Sequence, residues 1–266
     1  FITSHINVAQ LVLYAFWIFF ALLIIYLRRE DKREGYPLES DRSDRAPRVK
    51  VVGFPRPPSP KTFVLPNDQG TRQKPEPAVA FAPVAGTKPQ AAWPGAPLVP
   101  TGDPMRDGVG PASYANRDDL PDLAITGKPK IVPMRIATDF KVEQTDPDPR
   151  GMPVVAADDK EVGKVVDLWV DRAEPRILYF EVALDEADQE AGSEAGKNNP
   201  LLPYGFARVK FGKGRIEVSS IMAHHFQHVP RTASDEQVTR LEEDKIMGYF
   251  AGGHLYADPS RQDPLI

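Results

Sequence analysis

Two acids three residues apart, Asp171 and Glu174, sit in a turn, Asp171-Arg172-Ala173-Glu174-Pro175, that closes a strand-length apolar run. Carboxylates that approach one another in a turn repel, and repulsion raises the pKa of one toward neutrality, where it can accept and release protons at working pH. Strand-end turns also collect Asp and Glu for solubility, and spacing alone does not separate the two roles. The second candidate is His224-His225-Phe226-Gln227-His228, because histidines four apart on a helix can share a metal ion. No carboxylate or further histidine accompanies them at a diagnostic spacing, which favours a surface turn of neutral histidines. Covalent and phosphate chemistry finds no support: there is no G-x-S-x-G elbow, no G-x-x-x-x-G-K loop and no dinucleotide fingerprint after a strand. Gly108-Val109-Gly110 and Gly212-Lys213-Gly214 read as turns. With no cysteine in 266 residues, disulfides, thiolate metal sites and Cys nucleophiles are excluded together.

These groups belong to a chain held in a bilayer. Leu11 to Leu27 is an uninterrupted apolar run of 17 residues. At ~1.5 Å of rise per residue it makes about 26 Å of helix, and Val8, Ala9 and Gln10 extend it to the ~30 Å of a hydrocarbon core. No second run of this kind occurs. No Lys or Arg precedes residue 28, whereas Arg28, Arg29, Lys32 and Arg33 crowd the far end, so the positive-inside rule places residues 28–266 in the cytoplasm and the N-terminus outside. A secretory signal peptide has the opposite polarity and a small-residue cleavage site, and a soluble core helix would carry a polar face. Tyr14 and Tyr26 suit the interfacial belt, Phe16, Trp17, Phe19 and Phe20 lie mid-span, and His5 is expected to be solvated. Arg28, Arg29 and Lys32 fall at headgroup depth and are expected to contact anionic lipid, less whatever pairs with Glu30, Asp31 or Glu34.

A formal charge of −4 and a pI near 5.8 argue against a nucleic-acid partner, which would need a basic face. Proline organises the next third: 18 of 28 prolines fall between Pro47 and Pro133, so it is neither regular helix nor central strand. It is nonetheless studded with Phe54, Phe63, Val64, Leu65, Phe81, Trp93, Leu98 and Val99, side chains in which disordered linkers are poor. That pattern predicts an extended segment laid across a partner surface. From Lys130 onward short strands are predicted over 130–132, 151–155, 162–170 and 177–184, with a turn at Asp158-Asp159. An acidic loop over 185–199 follows, then a hairpin pairing 201–211 with 215–218 through Gly212-Lys213-Gly214. Such spacing predicts a small, strongly bent sheet or barrel. A closing helix over 238–250 would be capped by Ser234 or Asp235 and ended by Gly252-Gly253. The fold class is a single transmembrane α-helix plus a mainly-β cytoplasmic domain with a C-terminal helix. It divides as 1–35, 36–129 and 130–266.

The end of the apolar span, Arg28-Arg29-Glu30-Asp31-Lys32-Arg33-Glu34-Gly35-Tyr36-Pro37-Leu38, resembles the H subunit of the photosynthetic reaction centre of purple bacteria. So do Pro60-Lys61-Thr62-Phe63-Val64-Leu65-Pro66, Gly110-Pro111-Ala112-Ser113-Tyr114, Val165-Val166-Asp167-Leu168-Trp169-Val170-Asp171 and Glu242-Glu243-Asp244-Lys245, in order over essentially the whole chain. The resemblance implies an inner-membrane, single-pass chain with a periplasmic N-terminus. Its cytoplasmic domain, a small reaction-centre-type PRC-barrel, would cap the L and M pigment-binding subunits, with the proline-rich segment on their cytoplasmic face. It further implies a non-enzymatic chain holding no pigment itself. Bacteriochlorophyll, bacteriopheophytin and quinones would reside in the partner subunits, with a cytochrome subunit, a light-harvesting antenna and lipids as further neighbours. The family also carries protons to the secondary quinone, and Asp171 and Glu174 match acids near that path. Where relatives have a His-rich stretch, this chain reads Asp122-Leu123-Ala124-Ile125-Thr126-Gly127-Lys128, which leaves Asp119 and Asp122 as candidates for proton uptake. The alternative is a membrane-tethered adaptor whose barrel binds another protein.

Overall fold

The computed structural model of the chain describes residues 7–39, 49–76, 84–93, 95–185 and 198–262. His5, Phe81 and most of the acidic loop lie outside the described residues. The chain forms two compact units, Phe1–Pro83 with Pro89–Pro97, and Val84–Lys88 with Leu98–Ile266.

In the first unit, helix α1 (Val8–Glu30) opens with a reciprocal cap: Asn7 accepts from the Gln10 backbone at 2.9 Å while the Gln10 side chain accepts from the Asn7 N–H. The helix is long and apolar enough to cross a membrane, and none of its residues is buried within the chain. A 3-10 turn, Asp31–Arg33, follows it. Two antiparallel ribbons come next, β1 (Leu38–Glu39) with β2 (Lys50–Val51), and β3 (Lys61–Val64) with β4 (Thr71–Lys74). Their side chains are almost all exposed, so the ties within this unit are polar. Arg33 illustrates this, donating to Glu30 and to the carbonyls of Ser59 and Lys74.

A ribbon of β5 (Thr87–Pro89) and β6 (Leu98–Pro100) comes next, and the second unit carries a 3-10 turn at Gly110–Ala112 and a seven-stranded sheet. The sheet comprises β7 (Ile131–Pro133), β8 (Pro153–Val155), β9 (Glu161–Asp171), β10 (Arg176–Leu184), β11 (Leu201–Pro203), β12 (Ala207–Lys210) and β13 (Arg215–Val218). Its order is β11-β10-β9-β8-β13-β12, with β7 also on β9, and only β8 and β13 run parallel. Strand β9 is the spine: β10 accompanies it from Gly163 to Asp171, β8 its beginning and β7 its last three residues. At Gly163 a Cβ would lie 2.0 Å from the Ala183 carbonyl oxygen, so only glycine permits that approach to β10. Leu168, Trp169 and Val170 are buried in succession, which marks a strand covered on both faces.

Two expectations for this unit are corrected. The 201–211 strand is broken, because Pro203 has no N–H to extend a ladder and a 3-10 turn, Tyr204–Phe206, follows it. Residues 201–203 pair with β10, and only β12 makes the hairpin with β13. The closing helix α2 runs Arg240–Tyr256, capped by Thr239, whose hydroxyl accepts from the Glu242 N–H at 3.2 Å while Glu242 accepts from the Thr239 N–H at 2.8 Å. It continues through Gly252-Gly253 because those glycines are contact points. A Cβ on Gly252 would lie 2.5 Å from the Ala112 Cβ, one on Gly248 2.7 Å from the Ala112 carbonyl oxygen, and one on Gly253 2.6 Å from the Ser220 carbonyl oxygen. The helix buries Ile246, Tyr249 and Phe250 in one core with Trp169, Phe180 and Phe226.

Candidate functional site

The end of β9 and the body of α2 converge on a cavity of 680 Å³ lined by Asp122, Lys130, Asp171, Tyr179, Glu243 and Met247 among others. Register explains the placement. Ile131 on β7 and Arg176 on β10 both pair with Asp171, so the last residue of β9 is enclosed between two neighbours and is only 1 % exposed. One oxygen of Asp171 accepts from the N–H groups of Ala173 (2.8 Å) and Glu174 (3.1 Å), which folds the turn around the acid. Its other oxygen lies 3.3 Å from the Lys130 ammonium, which is also 3.9 Å from Asp122. Across the cavity the Tyr179 hydroxyl donates to Glu243 at 3.1 Å. Burial raises the Glu243 carboxyl above its usual range, aided by the charges of Asp122 and Asp244 and opposed by the Tyr179 hydrogen bond and Lys130. Burial likewise pushes the Tyr179 phenol up. A buried carboxyl held above its usual range, with an ammonium lying between two further acids on the same cavity, can hold and hand on protons.

Of the four acids singled out in the sequence, Asp122 and Asp171 meet at Lys130. The expected pairing of Asp171 with Glu174 is corrected: Asp171 lies against Lys130, which it shares with Asp122, and Glu174 lies against Arg176. Asp171 is locked inward by the two backbone donors, whereas the Glu174 side chain is 66 % exposed and lies 3.4 Å from Arg176. Asp119 is exposed and accepts from the Thr239 hydroxyl at 2.7 Å, beside the cap of α2. Lys130, Tyr179 and Glu243 escaped the sequence reading. Glu243 is 64 positions from Tyr179, and its Glu-Glu-Asp-Lys run looks like an ordinary solvated helix face.

At the end of α1, Arg28 and Arg29 are exposed. Lys32 is not: it is 3 % exposed, its ammonium donates to the carbonyls of Val52 (2.8 Å) and Pro55 (2.7 Å), and it lies 5.0 Å from the centre of the Tyr36 ring. The expected headgroup role of Lys32 is therefore corrected, because its three donors face protein acceptors and an aromatic ring. The histidine run forms a 3-10 helix, Ala223–His228. His225 Nδ1 accepts from the Met222 N–H at 3.2 Å, and burial, with the neighbouring His224 and His228, lowers its pKa to about 4. Among the described residues no group of three or more His, Cys, Asp or Glu is placed to hold a metal ion.

A second cavity, of 610 Å³, opens beside Arg135, Asp167, Trp169 and Glu181. Asp167 and Glu181 face one another across β9 and β10, and Arg135 Nη1 reaches both, at 3.0 and 2.6 Å. Glu181 accepts two further hydrogen bonds, from Trp169 Nε1 and Asn199 Nδ2, each at 3.0 Å.

Residues 1–136 match the family model for the photosynthetic reaction centre H-chain N-terminal region. Residues 141–224 match the model for the PRC-barrel domain.

Proposed function

The chain belongs to the H-chain family of photosynthetic reaction centres, and from that membership we propose that it caps the cytoplasmic face of the L and M subunits and conducts protons to their secondary quinone. In this reading α1 spans the inner membrane with its N-terminus in the periplasm, and Arg28 and Arg29 contact lipid headgroups. The extended segment over 36–129 lies on the partner surface, and 130–266 forms the cap. The chain performs no bond chemistry of its own; the pigments and quinones belong to its partners, with a cytochrome subunit and an antenna as further neighbours.

The observation that carries the proton role is the convergence of Asp122, Lys130, Asp171, Tyr179 and Glu243 on one cavity. A quinone reduced twice in a buried pocket must take up two protons, and charge does not cross a low-dielectric layer without relays. Protons collected at Asp119 and Asp122 would pass Lys130 to Asp171 and Glu243, with Glu174 at the outer edge of the turn.

Flash-induced kinetics of the intact complex test this. Asp171→Asn with Glu243→Gln keeps shape and removes two titratable sites, so the first electron should reach the secondary quinone at the normal rate. The second transfer, coupled to proton uptake, should slow about tenfold, which is ~1.4 kcal/mol of added barrier. Small weak acids added as mobile carriers should restore it. An unchanged second-electron rate from pH 6 to 9, in this pair and in Asp171→Asn with Glu174→Gln, would place the route elsewhere.

A further inference from the structure

Arg231 follows the histidine-bearing 3-10 helix and takes part in none of the sites above. Its Nε and Nη1 are shielded from solvent and have no hydrogen-bond partner, while Nη2 reaches only the Phe226 carbonyl, at 3.4 Å. The polar group that acts on it electrostatically is the Tyr249 phenol, whose own hydroxyl donates to the His225 carbonyl at 2.9 Å. Burial lowers the Arg231 pKa to about 10, as expected of a cation with no counter-charge beside it. Other guanidinium groups have carboxylate or carbonyl partners: Arg135 two carboxylates, Arg150 and Arg215 one each, Arg261 three carbonyls, and Arg240, whose Nε is also shielded without a partner, the Asp118 carboxylate. A shielded cation with two open donors and a single long carbonyl contact is expected to find its counter-charge outside the chain. The residue as a whole is only partly buried, so part of its side chain meets the surface.

We propose that Arg231 is the receptor for an oxyanion that this chain does not supply. The planar, permanently charged guanidinium suits carboxylate and phosphate oxygens alike, and the chemistry is common to two sources: a carboxylate of an assembled partner subunit and free inorganic phosphate. The partner source rests on the assembly described under Proposed function. Copurification of pigment with the wild-type chain tests that assembly by itself, before any substitution is made.

The decisive measurement is thermal unfolding of the purified complex in chloride buffer and with added inorganic phosphate, for wild type, Arg231→Met and Arg231→Lys. The sign of the Met effect is diagnostic, because methionine keeps the apolar stem and removes the charge. If a partner carboxylate is seated on Arg231, the Met variant unfolds at a lower temperature in chloride, loses the chain more readily on detergent washing, and phosphate changes neither. If phosphate is the occupant, wild type shows a saturable upward shift with phosphate that the Met variant lacks. In either case the Lys variant recovers part of the loss. A Met variant as stable as wild type, or more stable, in both buffers means that an unpaired cation has been relieved and overturns the proposal. So does a Lys variant as weak as Met, which assigns the effect to packing, or a phosphate shift that persists in Met.

Discussion

Arg135 lies between two acids that strand pairing would otherwise force together. Asp167 and Glu181 are directly opposed on β9 and β10, a placement that destabilises a sheet unless a cation bridges it. Burial pushes the Glu181 carboxyl up, yet the hydrogen bonds from Arg135, Asn199 and Trp169 outweigh it and hold the group below its usual range. A depressed carboxylate pKa stabilises the fold above the ordinary glutamate value, about 4.3, and that stabilisation is lost as pH falls through the lower folded value. Arg135→Met should reverse the relation, leaving two facing acids, one of which then titrates above its ordinary value. Breaking a fully buried pair costs ~3–5 kcal/mol. The Arg135 side chain is 38 % exposed, so screening reduces the expected loss to about 2 kcal/mol at pH 7. Denaturant melts from pH 7 to pH 3 check this: the deficit should begin to narrow above about pH 4.3, as the raised acid of the variant takes up its proton, and go on narrowing as pH falls through the depressed Glu181 value of the wild type. A deficit independent of pH would assign the loss to packing. Asp167 was visible in the sequence only as an alternating polar position, because Arg135 stands 32 and 46 positions from its two acids. Spacing offers Asp171 and Glu174 as a pair, which the structure separates onto Lys130 and Arg176, and Asp122 enters only through the resemblance. Pairs made by register leave no mark in spacing, which is why Lys130 and Glu243 lie outside the sequence reading.

Helix α2 shows the same limit for whole elements. Its existence followed from a polar cap ahead of a mixed apolar run, and the strands of the sheet followed from alternation. Its end was misjudged because glycine has two uses, to break a helix and to let another backbone come close. Sequence carries only the residue type, whereas the contact with Ala112 is set by a turn more than 130 positions upstream. The two uses predict opposite outcomes for Gly252→Ala. If glycine merely weakens the helix, alanine gains up to ~1 kcal/mol from helix propensity. With a Cβ placed 2.5 Å from the Ala112 Cβ, overpacking of ~1–3 kcal/mol should win, for a net loss of up to about 2 kcal/mol. Gly212→Ala, at a glycine whose added Cβ meets nothing within 4 Å, should stay within ~0.5 kcal/mol of wild type. Chemical denaturation of the two variants side by side distinguishes these readings. A stabilised Gly252→Ala protein would mean that α2 does not press on the Gly110–Ala112 turn.

At the scale of the molecule, the two units differ in what holds them. The second has a continuous core from Ile131 to Ala257 that includes Trp169, Phe180, Phe226 and Phe250. Among its described residues the first shows no such core: the apolar residues of α1 are exposed, Phe54 is 83 % exposed and Val64 82 %, and β3 and β4 form an isolated ribbon. Two-stranded ribbons are marginal in water, and each large apolar side chain left exposed forgoes ~1.5–3 kcal/mol of burial. The polar ties of Lys32 and Arg33 fix where the segment leaves the helix without supplying that burial. The first unit should therefore acquire its stability from lipid and partner subunits, and the second from itself. Amide hydrogen exchange on the full chain in detergent, with and without the partner subunits, separates the two sources. Without partners, β9 and β10 should remain protected while residues 61–64 and 71–74 exchange rapidly. In the assembled complex the latter should slow at least tenfold, equivalent to ~1.4 kcal/mol of added local stability. Equal protection of these ribbons in both states would mean that the first unit holds itself together, and that the extended segment is not laid on a partner surface.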